Sequence, residues 1–354
     1  MRNQSVAPFV IVLLIFAMLA CNLPGSGVGA NQSSPTDLPI VSNPPQVEQG
    51  GAATSTATPS LASPTSSIVH VLAPVAPGSS GQPVYDVDSS GTAAEKRAPY
   101  GDSYNINRLE RPFLQDMTYV PDLDIGTFTL EYDNDFYYVS IDLIGNNPNN
   151  PIGIQYGVEL DVNADGFGDF IVLGKQPFSA DWSTSNVQVF ADNNRDTSGL
   201  SADKSDAPIT TDGYEALVFD GGSTINKDHD LAWARMNSSD DANIQFSFKK
   251  SLVGSSFMYG VIADAGLKDV GKLDYVDRFP EAEAGSPVKD KKYYPLGALF
   301  AVDNTCREAF GFKPNGYEPM LCPRDQPNPT KKATNVPGII LIPLFIKPSP
   351  VPPP

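Results

Sequence analysis

The residues best placed to do chemistry in this chain lie in one short turn, Asp161-Val-Asn163-Ala-Asp165-Gly-Phe-Gly-Asp169, where oxygen-bearing side chains recur at alternate positions. Calcium takes about six to eight oxygen ligands, and a loop supplies them when acidic and amide side chains alternate while the backbone curls round the ion. Asp161, Asn163 and Asp165 offer side-chain oxygens, Phe167 its carbonyl, and Asp169 a direct or water-mediated contact. Gly166 and Gly168 are expected to supply the positive φ of such a curl. The place where a helix-flanked calcium loop carries a bidentate Glu is Val172, and the flanks alternate as strands, so the turn is not an EF-hand. The remaining ligands are expected from Asp192, Asn194 and Asp196 in "ADNNRDTSGL". The competing reading is a hairpin whose Asp and Asn side chains only cap backbone N–H groups.

Other chemistry is sparse. The two histidines, His70 and His229, do not make a triad or a histidine-ligated metal site, and no nucleophile elbow or phosphate loop is present in the expected folded region. Carboxylates such as Asp274, Asp277, Glu281 and Glu283 keep a glycoside hydrolase open as an alternative, although acids in so negative a chain usually belong to solvated surface. Trp182 and Trp233 sit beside polar stretches and are candidates to stack on sugar rings, the plainer reading being that both are core residues. Cys306 and Cys322 form an even pair, expected to be a disulfide, and closing a loop of about 15 residues is worth about 3 kcal/mol.

These residues need strands to position them. Phe128, Leu130 and Tyr132 alternate in "TFTLEY"; Tyr137, Val139, Ile141 and Leu143 in "FYYVSIDLI"; Ile154, Tyr156, Val158 and Leu160 in "IQYGVELD"; Ile244, Phe246 and Phe248 in "NIQFSFK". "FIVL", "VQVFA", "YEALVF" and "FMYGVIA" are further strands, and "KKSLVG" reads as one helical turn. Strands separated by Asn, Asp, Gly and Pro turns, with no long helical pattern between them, predict an all-β fold: an antiparallel, jelly-roll-like β-sandwich.

The start, "MRNQSVAPFVIVLLIFAMLAC", has a basic residue, an apolar run and a small residue before Cys21. It resembles a bacterial lipoprotein signal over residues 1–20, which implies that Cys21 carries lipid and anchors the chain in the membrane at the cell surface. Residues 21–94, as in "GGAATSTATPSLASPTSS", are too poor in large apolar groups to order themselves and read as a tether. The folded domain is expected over 95–325, with a Pro-rich tail over 326–354 that opens on the apolar stretch "NVPGIILIPLFI". Across 354 residues, 24 Lys+Arg face 41 Asp+Glu, and the net charge of −17 argues against nucleic acid as a partner.

The turn resembles calcium loops of the DxNxDGxGD type found in secreted proteins. The order "EYDNDFYYVSIDL … YGVELDVNADGFGDF" resembles the early strands of DOMON domains and family-nine carbohydrate-binding modules, the likeness being confined to residues 131–170. It implies a sandwich and, by analogy, sugar or haem binding; the scattered methionines and His229 give no axial pair for haem. Three function classes follow: a calcium-stabilised, non-catalytic module for carbohydrate or another extracellular polymer, a structural or adhesive surface protein, and a hydrolase.

Overall fold

A computed structural model describes residues 68–75, 81–99, 110–197, 213–224, 226–237, 240–273 and 300–323. The chain divides into residues 1–63 and 64–354, and every described residue lies in the second unit. Cys21, the signal, the 274–285 carboxylates and the tail 326–354 lie outside the described residues.

Among the described residues thirteen strands make two antiparallel sheets, as the alternation predicts. They are β1 (Val84–Tyr85), β2 (Glu110–Arg111), β3 (Ile125–Tyr132), β4 (Phe136–Leu143), β5 (Gln155–Asp161), β6 (Phe170–Gly174) and β7 (Val187–Ala191). They continue as β8 (Ala216–Asp220), β9 (Ala232–Asn237), β10 (Asp240–Lys249), β11 (Phe257–Asp264), β12 (Val302–Asn304) and β13 (Glu308–Phe310). The first sheet runs β1-β3-β4-β10-β9; the second runs β2-β12-β11-β5-β6-β7-β8, with β13 beside β11. A single helical turn, α1 (Lys250–Val253), lies where the sequence placed it and carries the chain from β10 toward β11.

The core between the sheets is the set of alternating residues. Phe128, Leu130, Tyr137, Val139, Ile141, Ile244, Phe246 and Phe248 of the first sheet meet Tyr156, Val158, Leu160, Val189 and Val261 of the second, all buried. Tyr132 is the exception, 44% exposed at the end of β3. Because strand side chains alternate, this inward set fixes an outward set on each sheet. Glu159 and Asp161 point outward from the second sheet; Tyr138, Ser140 and Asp142 point outward from the first. The Cys306–Cys322 disulfide forms, with Cα atoms 4.9 Å apart, and both cysteines join the core.

The expected boundary at residue 95 is too late. β1 pairs Val84 with Phe128 and Tyr85 with Thr127, and residues 68–75 lie across the outside of the first sheet. Tertiary contacts hold a stretch whose composition alone would leave it unstructured.

Candidate binding face and acidic turn

The acidic turn closes the β5–β6 hairpin. Ala164 (φ 57°) and Gly166 (φ 95°) adopt left-handed backbone. Gly168 does not, contrary to expectation; its role is space, because a Cβ there would lie 2.1 Å from the Tyr214 hydroxyl and 2.8 Å from Glu159 Oε1. Asp161 Oδ1 and Asn163 Oδ1 both accept from Asp165 N, at 3.3 and 2.9 Å, and Asp161 Oδ2 accepts from Gly166 N at 2.9 Å. Asp165 Oδ1 accepts from Phe167 N, and Asp169 Oδ2 from Val162 N. The side chains therefore cap the turn as Asx residues do.

Arginine supplies positive charge to this turn. Arg307, fully buried between β12 and β13, donates Nη1 to Asp161 Oδ2 at 3.0 Å and to the Gly166 carbonyl at 3.1 Å, while its Nη2 lies 2.9 Å from Glu159 Oε2. Tyr214 donates to the other oxygen of Glu159 at 2.6 Å. Burial works against the Arg307 cation, yet the charges of Glu159 and Asp161 raise its pKa above the usual value. Burial also pushes Asp161 and Asp169 up, with Arg307 and backbone N–H groups opposing it. The loop expected to donate further ligands does reach the turn: Thr197 O accepts from Gly168 N, and Asp169 O from Asp192 N. Its contribution is the Arg195 guanidinium paired with Asp165, while Asp192 caps Arg195 N and Thr197 N, and Asn194 donates to Asp196. The donors suit a hard cation in kind. In placement, no three His, Cys, Asp or Glu side chains gather into a metal-holding group among the described residues.

The outer face of the first sheet is organised differently. Cross-strand pairing sets Arg235, Gln245, Ser140 and Thr129 in one row across β9, β10, β4 and β3, and Asn243, Asp142 and Thr127 in the next. Arg235 Nε donates to Gln245 Oε1 at 2.8 Å, and Gln245 Nε2 to Ser140 Oγ at 3.2 Å. Asn243 Nδ2 and Thr127 Oγ1 both donate to the Asp142 carboxylate. Asn243 Oδ1 and Ser247 Oγ are buried and accept from no group among the described residues.

Both tryptophans border these rows. Trp233 shares a row with Ser247, Tyr138 and Glu131, and its ring packs with Phe136 and Tyr138 outside the main core. Trp182 comes from a segment that runs along the free edge of β9, where Ser183 and Ala234 exchange backbone hydrogen bonds. Its ring lies 4.4 Å from the Arg235 guanidinium and 5.9 Å from the Tyr138 ring. The expectation that both are ordinary core residues is met only for burial at Trp233, which is 5% exposed. His229 is half-buried, with no partner for Nδ1 among the described residues.

Residues 68–75 lie over the aromatic end of this face, and His70 is thereby part of the fold rather than of a tether. The Asp230 carboxylate contacts His70 Nδ1 at 2.8 Å and accepts from Val71 N and Leu72 N at 2.9 and 2.8 Å. Val75 N donates to the Tyr138 hydroxyl, and Trp182 Nε1 donates to Val75 O. A separate cleft of about 620 Å³ opens beside the edge strand β8, lined by Leu217, Val218, Phe219 and Leu231 with Asn226 and Asp228.

No protein-family model matches this chain, and neither a curated protein nor a solved structure matches it significantly.

Proposed function

We propose that this chain is an exported, non-catalytic binding module that presents the outer face of its five-stranded sheet to a polysaccharide. The carrying observation is the row structure: guanidinium, amide, carboxylate and hydroxyl groups lie side by side across four strands, bordered by the only two tryptophans of the chain. Strands lie about 4.8 Å apart, so a four-strand row spans about 14 Å, the length of a short oligosaccharide. Hydroxyl-rich rings need planar hydrogen-bonding groups and an aromatic wall, and the face offers both. The net charge of −17 favours a neutral polymer over an anionic one. Lipidation at Cys21 belongs to the same proposal and places the module at the bacterial cell surface. The test is a panel of soluble neutral polysaccharides titrated against the chain carrying Cys21→Ala. Saturable binding of at least one supports the reading. Binding of none, with attachment to cells or to another protein, would favour a structural or adhesive role, and turnover of any polymer a hydrolase.

Calcium at the 161–169 turn is a second proposal, favoured by the curl that brings Asp161 Oδ1 and Asn163 Oδ1 to the same amide. Asp161, Asn163, Asp165, the Phe167 carbonyl and Asp169 would hold the ion, sharing Asp161 with Arg307 and Asp165 with Arg195. Its effect is stabilising, about 2.7 kcal/mol at one hundred times Kd. Saturating calcium should raise Tm by several degrees, and Asp165→Ala should abolish the rise. An unchanged Tm in excess chelator, with no metal by elemental analysis, overturns this proposal.

A further inference from the structure

We propose that residues 68–75 are a cis-acting competitor of the ligand: a strap that occupies the aromatic end of the polysaccharide face and must lift for full binding. This rests on the reading of that face as a polysaccharide site. Among the described residues the strap makes no strand pairing, and it is held by side chains of the face and of its border. Asp230, 3% exposed, takes its N-terminal half; Tyr138 and Trp182 take Val75. Its side chains alternate as an extended segment does. Leu72 packs with Phe136, Tyr138 and Trp233, and Pro74 is buried, whereas Val69, Val71 and Val75 are 69%, 90% and 66% exposed.

Two consequences follow from these contacts. The Trp182 N–H, the Tyr138 hydroxyl and the Trp233 ring, against which His70 lies at 4.6 Å, are the groups a sugar would use, so strap and sugar cannot hold them together. The sheet beneath does not depend on the strap, since β4, β10 and β9 pair with one another directly. A one-sided, unpaired segment of this kind opens at lower free energy than the sheet it covers.

The chain carries two tryptophans, Trp182 and Trp233, both under the strap, so tryptophan emission reports this place alone. The test compares wild type with a His70→Ala/Leu72→Asp double variant in otherwise complete protein carrying Cys21→Ala. The probe is whichever neutral polysaccharide of the panel binds wild type or variant. The variant should keep a cooperative melt, shift its emission to the red, become more quenchable by acrylamide, and bind the polysaccharide more tightly. If the strap is open in about one wild-type molecule in ten, the gain is about tenfold. A peptide of residues 66–76 added to the variant should reverse both changes. Unchanged emission, loss of the folding transition, or no effect of the peptide overturns the strap. Equal or weaker affinity in the variant overturns the competition while leaving the binding reading intact. Binding by neither form overturns both.

Discussion

The Arg307 cluster on the second sheet and the polar rows on the first treat their polar groups differently. On the second sheet, Glu159, Asp161, Tyr214 and Arg307 pair with one another and with the turn, so the charges are spent inside the molecule. On the first, Asn243 Oδ1 and Ser247 Oγ have no partner among the described residues, and the aromatic groups beside them are covered by a detachable segment. A polar cluster that closes on itself stabilises a fold, whereas half-exposed groups such as Arg235, Ser140 and Asp142 can also be shared with a ligand. The acidic turn, the most conspicuous feature of the sequence, belongs chiefly to the first kind.

The strongest way to break this contrast is to remove Arg307. Arg307→Met leaves Glu159 and Asp161 buried without their countercharge, and breaking a buried ion pair in this way costs about 3–5 kcal/mol. Urea unfolding should show a loss of that size; a loss under about 1 kcal/mol, the range of an exposed pair, would mean that the network is not structural. The disulfide next to it is expected to matter slightly less. Cys306→Ser/Cys322→Ser should cost about 3 kcal/mol in the same experiment, and a variant as stable as the unreduced wild type would show that the bridge does not form in the folded protein.

A smaller effect sharpens the other face. Burial works against the Asp230 carboxylate, but the Leu72 N–H, His70, the Val71 N–H and the charge of Lys249, itself paired with Asp228, together hold its pKa below the ordinary value. A depressed carboxyl contributes stability that is present above its unfolded pKa of about 3.9 and is lost as pH falls through the folded one. The strap should therefore stay closed above about pH 4 and loosen progressively as pH falls from there through the lower folded pKa, seen as a red shift of tryptophan emission at acid pH that precedes loss of sheet circular dichroism. Asp230→Asn should show the red shift at neutral pH. Coincident transitions would mean that strap and sheet open as one.

Much of the fold was legible because its strands carry a period of two. Thirteen of the fourteen residues singled out by that alternation lie in the core, and VQVFA at 187–191 matches β7 residue for residue. β9 escaped because two of its three inward positions, Ala232 and Ala234, are too small to mark a face and leave Met236 alone, and β1, β2, β12 and β13 are too short to show a period. Arg307 was invisible because the pairing spans 146 positions and a lone arginine has no local signature. The strap had a faint one: "SIVHVLAPV" is an apolar run inside the Ser/Thr/Pro-rich stretch. The polar rows were half legible, since Ser140, Asp142, Asn243 and Gln245 are the outward positions of recognised strands, but only the register aligns them.

The most direct test of the contrast is a binding titration with one variant on each face. Asn243→Ala/Gln245→Ala removes the β10 member of both rows on the first sheet, and Lys272→Ala alters a half-exposed side chain next to Leu273, which packs with Ile171 and Leu173 of the second sheet. With each variant melting as a folded protein, the neutral polysaccharide that binds wild type should bind the double variant at least about tenfold more weakly, a loss of about 1.4 kcal/mol, and bind Lys272→Ala unchanged. Equal affinity for wild type and the double variant would contradict the assignment of the first sheet's outer face as the binding surface.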